Sequence, residues 1–155
     1  MADARVIVLG IGNAERGDDG AGRAVAALLG GVLPQQVEIA EMDGEATAVL
    51  AKLDGADAAY LVDACVSGAP AGTVHRFDAN ESMLHQASSD ISTHGFGLAA
   101  AIELGRSLGG LPRHTVVFAI EGKSFVIGTG LSEAVAAAAA KVAQTIRSEI
   151  ERGFD

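Results

Sequence analysis

The sequence predicts an α/β fold, a three-layer sandwich in which a mainly parallel sheet of about five strands carries helices on both faces. Three observations predict it. Segments with strand and helix periodicity alternate along the whole chain. Runs of apolar, largely β-branched residues recur at Arg5–Leu9, Ala58–Val62 and Thr115–Ile120 without polar alternation, as in strands buried on both faces. The first of these runs leads straight into a glycine-rich loop and then a helical segment, a strand–loop–helix unit that places groups at the carboxyl edge of a parallel sheet.

Each element has its own local warrant. After the Gly10–Gly17 loop, Ala21, Ala24, Val25, Leu28 and Leu29 fall at helical spacing, and Gly30-Gly31 stops the helix. Val37–Met42 alternates as a second strand. Ala46–Leu53 reads as a helix, broken at Gly55. Ala58–Val62 is a fully buried third strand, ending at Asp63, and Gly68–Gly72 is a loop. Thr73–Phe77 is a short strand, and residues 79–93 are polar and rich in Ser and Asn. A helix is expected from His94 to about Leu108, capped by Ser92 or Thr93 and ended by Gly109-Gly110 and Pro112. Thr115–Ile120 is a buried strand, and Glu121–Gly130 is a loop with an apolar island at Phe125-Val126-Ile127. Ser132 caps a long last helix whose apolar positions are Val135, Ala139, Val142, Ile146 and Ile150. No internal repeat or linker divides the chain, so residues 1–155 are expected to form one domain.

Composition narrows the function. Hydrophobic residues make up 49% of the 155, enough for a proper core. The net charge of −9 opposes binding to nucleic acid or an anionic membrane surface. No apolar run approaches the roughly 20 residues of a membrane helix. Met1 to Arg5 leads directly into a strand and does not read as a signal peptide. The single cysteine, Cys65, has no internal partner for a disulfide, which agrees with a cytoplasmic setting.

The glycine loop admits two readings. As a phosphate cradle it is poor: Glu15 stands where a dinucleotide fingerprint needs its third glycine, no Gly-Lys-Ser/Thr follows, and Asp18 and Asp19 would repel a pyrophosphate. As a presenter of carboxylates it is better. Glycines allow a sharp turn from strand to helix, and an Asp in the first turn caps the helix and meets its dipole. Capping needs one Asp, so Asp18 is read as the structural partner and Asp19 as the functional one. Asp63 follows a buried strand at its carboxyl end, where open parallel sheets bind ligands, although a neighbouring amide could equally satisfy it. His94 opens a helix, where a charged imidazole gains nothing from the dipole. A neutral one can serve as a base or metal ligand, or simply lie at the surface. His75, His85 and His114 are read as surface residues. Cys65, two residues past Asp63, is a soft ligand or a nucleophile in principle, but a buried free cysteine is the commoner outcome. If Asp19, Asp63 and His94 meet, they form a mixed oxygen and nitrogen set suited to nickel or zinc.

Taken in order, Gly10-Ile11-Gly12-Asn13 with Asp18-Asp19-Gly20-Ala21-Gly22, then Val62-Asp63-Ala64, then His94-Gly95-Phe96-Gly97-Leu98, resemble the hydrogenase maturation endopeptidases over most of the chain. The resemblance implies a twisted, mainly parallel sheet with helices on both faces. It implies an endopeptidase that trims the C-terminal tail of a nickel–iron hydrogenase large-subunit precursor after nickel insertion, cutting after a basic residue beyond the last metal-binding cysteine. It also implies that Asp19, Asp63 and His94 are the catalytic and metal-contacting groups. The nickel would be the client's own, and cadmium or zinc could replace it in a crystal. Water would be activated by a carboxylate base or by nickel polarising the scissile carbonyl. Two stretches depart from the family pattern. Asp43-Gly44-Glu45-Ala46-Thr47 has Glu45 where many members have glycine, and Glu121-Gly122-Lys123-Ser124-Phe125 lacks the usual sequence. These departures leave open a non-cleaving, client-binding module. The glycine loop leaves a nucleotide-binding domain as the remaining alternative.

Overall fold

The computed structural model describes residues 4–80, 92–93 and 97–153. Its strands are β1 (Val6–Ile11), β2 (Glu38–Met42), β3 (Ala58–Val66), β4 (Val74–Asp78), β5 (Ser92–Thr93) and β6 (His114–Glu121). Its α-helices are α1 (Ala21–Leu29), α2 (Ala46–Leu53), α3 (Gly97–Leu108) and α4 (Glu133–Arg152), and a 3₁₀ turn, Gly17–Gly20, precedes α1. The sheet runs in the order β2-β1-β3-β6-β4, with the two-residue β5 added on β3. β1 pairs in parallel with β2 and β3, and β3 with β6; β4 on β6 and β5 on β3 are antiparallel.

Period-two alternation divides the buried strand residues between two cores. Val8, Tyr60, Val62, Val116 and Phe118 meet α1 and α4 through Val25, Leu29, Val135, Val142 and Ile146. Ile7, Leu9, Ile11, Leu61 and Val117 meet α2 and α3 through Val49, Leu53, Leu98 and Ile102. The sheet is therefore mostly parallel with helices on both faces, as the three apolar runs predict. The chain leaves β1 toward β2 on one side, and β3 lies on the other. This reversal makes the carboxyl ends of β1 and β3 the topological switch point of the sheet, the place where such sheets bind ligands.

Several expectations are corrected. β3 does not end at Asp63 but continues to Val66, because β6 pairs with it as far as Cys65↔Glu121 and β5 pairs with Cys65 and Val66. Glu121 is not a loop residue but the buried last residue of β6. Ser92 and Thr93 pair with β3 as β5, and α3 is described over Gly97–Leu108; the expected helix start at His94 lies outside the described residues. Ser132 occupies the N-cap position of α4 without a side-chain cap, since its hydroxyl is engaged by Asp18. His75 and His114 are half-buried rather than surface residues: His75 contacts Glu121, and His114 contacts the Tyr60 hydroxyl. His85 lies outside the described residues. Among the described residues, no helix is long and apolar enough to cross a membrane.

Candidate functional site

The glycine loop is shaped by close backbone approach. Gly12, at φ 134°, donates its amide to Met42 O at the end of β2. A Cβ on Gly12 would stand 2.0 Å from the Asp19 carbonyl oxygen, and one on Gly22 would stand 2.2 Å from the Val62 carbonyl oxygen. Only glycine lets the 3₁₀ turn and the start of α1 lie this close to the ends of β1 and β3. Most of the loop's amides are already committed. Those of Gly12, Asn13, Glu15, Arg16, Gly17, Asp18 and Asp19 all donate to acceptors within the chain. An amide cradle for phosphate is therefore absent over this stretch, and the nucleotide-binding alternative finds no support in the geometry.

The two adjacent carboxylates have different surroundings. Asp18 is fully buried and accepts from the amides of Lys123 (2.7 Å), Ser124 (3.0 Å) and Ser132 (2.7 Å) and from the Ser132 hydroxyl (2.9 Å). Burial alone would push its carboxyl up. The amides of Ser132, Lys123 and Ser124 and the Ser132 hydroxyl outweigh burial and hold it below the usual carboxylate range. Asp18 thus pins the 122–132 segment onto the glycine loop instead of capping α1, and the amide of Asp18 itself bonds Ser124 O. These anchoring partners are distant in sequence, and no spacing signal could have named them.

Asp19 is also buried, and its Oδ2 accepts from the Asn13 amide at 2.9 Å, but its Oδ1 has no hydrogen-bond partner among the described residues. Asp63, on the α2/α3 side of β3, is 1% exposed; its Oδ1 accepts from the adjacent Ala64 amide at 2.8 Å and its Oδ2 has no hydrogen-bond partner among the described residues. Burial drives the Asp63 carboxyl well above its ordinary value; the Ala64 amide works against this, and the Asp19 charge adds to it. The structure therefore brings Asp19 and Asp63 within electrostatic reach at this switch point, and each keeps one buried oxygen without a hydrogen-bond partner among the described residues. Such oxygens are costly unless a proton or cation meets them, so the pair fits a divalent cation by the chemistry of its donors. His94 lies outside the described residues. It directly follows Thr93, whose backbone pairs with Cys65, two residues from Asp63.

Two further groups support the loop. The Arg23 guanidinium donates to Gly12 O and pairs with Asp43 and Glu41, joining α1, the loop and the end of β2. Glu45 accepts from the Thr47 and Ala48 amides and caps α2, so its carboxylate has a local structural role.

The fold and site define an α/β protein that presents buried, under-bonded carboxylates at the switch point of a mainly parallel sheet. The HycI family model, described as hydrogenase maturation protease, matches residues 26–149. The chain belongs to the hydrogenase maturation protease family. The matched span includes Asp63 but begins beyond Asp18 and Asp19. A curated relative, the hydrogenase expression/formation protein HupD of Thiocapsa roseopersicina, is 29% identical over 122 residues, covering 77% of this chain and 55% of that protein. The chain thus aligns to only about half the length of that relative. Among solved structures, the hydrogenase maturating endopeptidase HybD of Escherichia coli superposes with a TM-score of 0.81 at 25% identity, covering 96% of this chain and 94% of that one. The [NiFe] hydrogenase maturation protease HybD of Thermococcus kodakarensis, at 23% identity and a TM-score of 0.74, covers 93% of this chain and 97% of that one and supports the fold.

Proposed function

We propose that this chain is an endopeptidase that removes the C-terminal tail of a nickel–iron hydrogenase large-subunit precursor once nickel has been inserted. The observation that carries the reading is the pair of buried carboxylates whose Asp19 Oδ1 and Asp63 Oδ2 have no hydrogen-bond partner among the described residues, at the sheet's switch point in a chain of this protease family. A cation already held by the precursor would satisfy both oxygens and offset the repulsion between the carboxylates. Asp19 and Asp63 then recognise the client's nickel, and His94 joins them as the third contact. The nickel belongs to the substrate, so docking of the loaded precursor is what relieves the strained pair. An empty precursor offers no such relief and is not cut.

The test is processing of nickel-loaded and nickel-free precursor in parallel. Tail release from the loaded form alone is expected. Asp19→Asn, Asp63→Asn and His94→Ala are each expected to slow it by roughly a hundredfold or more. Equal cleavage of both precursors, or cleavage by all three variants at the wild-type rate, overturns the reading. A stoichiometric complex without tail release replaces it with the client-binding module. The capping role of Glu45 removes one of the two departures that favour that module.

A further inference from the structure

A second group of side chains stands one step further along β3, and the proposed processing reaction makes no use of it. Cys65 is the register partner of Glu121 across β3 and β6, and His75 reaches them from β4. Cys65 Sγ lies 3.6 Å from Glu121 Oε1, His75 Nε2 lies 3.2 Å from the same oxygen, and the three donor atoms are all within 4.8 Å of one another. In a tetrahedral site with bonds of about 2.0–2.3 Å, neighbouring donors stand about 3.3–3.8 Å apart. The two separations from Glu121 therefore already match the edges of such a site, and the third lies within 4.8 Å.

We propose that Cys65, His75 and Glu121 form a binding site for a zinc-class divalent cation, separate from the Asp19–Asp63 pair. The donor set selects the ion. One thiolate, one imidazole and one carboxylate match zinc or cobalt and suit neither calcium nor magnesium. Charge favours burial: a thiolate and a carboxylate neutralise a divalent cation, so the loaded site carries no net charge. Cys65 is fully buried and Glu121 is 1% exposed, whereas the His75 side chain is 22% exposed and gives the ion an entrance. The His75 ring stacks on Phe77 with an interplanar angle of 2°, which fixes its plane. The Ser67 amide and hydroxyl, at 2.8 and 2.5 Å from the Glu121 oxygens, orient that carboxylate as an outer shell. Binding forms a metal–sulfur bond and releases the Cys65 thiol proton to solvent. In the metal-free form that thiol and the imidazole rest on Glu121 as hydrogen-bonding groups, so the site is held together before the ion arrives. The loaded site would join β3, β6 and the edge strand β4.

Cobalt(II) titration of the reduced full chain tests this. Cys65 is the only cysteine, so a near-ultraviolet thiolate-to-cobalt band reports this site alone. Expected are a band that saturates at one cobalt per chain, release of one proton, and loss of the band on addition of zinc. Cys65→Ser should abolish the band, His75→Ala should weaken binding at least about tenfold, and Asp19→Asn should leave it in place. Zinc should raise the melting temperature of the wild type and not that of Cys65→Ser. Absence of a band at millimolar cobalt, a band unaffected by His75→Ala, or a band lost in Asp19→Asn overturns the proposal. None of these readouts depends on whether the precursor is cut.

Discussion

At the scale of single residues, Asp18 and Asp63 show how one residue type takes opposite roles. Asp18 has three amides and a hydroxyl around its carboxylate, and its folded pKa lies below the ordinary value. The unfolded chain then binds more protons than the native one. The stability it contributes is full above the ordinary carboxyl pKa and is lost as pH falls through the depressed folded value. Asp63 is raised instead, by burial and by the Asp19 charge, so the native state binds the extra proton. Its contribution is full below the ordinary pKa and is lost as pH rises through the raised folded value. Asp18→Ala strands three part-buried amides and should cost about 2–3 kcal/mol at neutral pH, with a smaller penalty in acid. Asp63→Asn should stabilise by about 1–3 kcal/mol at neutral pH, a gain that shrinks toward acid. Melting temperatures followed from acid to mildly alkaline pH check both, and variants whose pH profiles shift in the same direction would contradict this division. The sequence separated Asp18 from Asp19 only by the argument that one cap suffices. The division seen here rests on the remote segment that reaches Asp18, which position along the chain does not reveal.

At the scale of elements, the apolar runs were legible because burial on both faces leaves few polar positions to mislead. The apolar spacing over Ala46–Leu53 coincides with the span of α2. The ends of β3 and β6 were not legible, since Asp63, Cys65 and Glu121 interrupt or end the apolar runs. Those residues stay in strands because the β3–β6 ladder continues through them. His75 shared the face of Phe77 by simple alternation, a signal that places it inside β4 rather than at the surface. The glycines also act at this scale. A Cβ on Gly22 would meet Val62 O at 2.2 Å and Ile11 O at 2.5 Å, backbone atoms that cannot rotate away. Gly22→Ala should therefore push α1 off the sheet, cost about 3 kcal/mol, and lower the melting temperature by about 6–12 °C. Gly30→Ala is the control. Gly30 has φ −61°, and its added Cβ would come no closer than 3.4 Å to another atom, so a change within about 0.5 kcal/mol is expected. Equal melting temperatures for the two variants would show that the approach of α1 to the sheet is loose.

At the scale of the whole molecule, the two cores share one sheet, and the strands common to both are the central ones. Buried residues of β3 and β6 enter both clusters, Tyr60 and Phe118 on one face and Leu61 and Val117 on the other. β2 and β4 form the two ends of the five-strand path, and their residues are half-buried or exposed. Opening β3 or β6 disrupts both cores at once, whereas an end strand can detach and leave the rest packed. Backbone amides at Leu61, Val62, Val117 and Phe118 should accordingly exchange with solvent only through global unfolding, and those in β2 and β4 through smaller openings. Native-state hydrogen exchange at increasing denaturant measures this. Protection in β4 equal to that in β3 would show that the edge is as firmly held as the centre, and if the proposed Cys65–His75–Glu121 site binds zinc, protection should rise both in β4 and at the β3 and β6 amides that open only globally. The same gradient explains where the paired carboxylates sit. Asp63 lies within the buried central strand β3, and Asp19 is held by a turn packed on it, so both carboxylates sit on elements this gradient expects to open late.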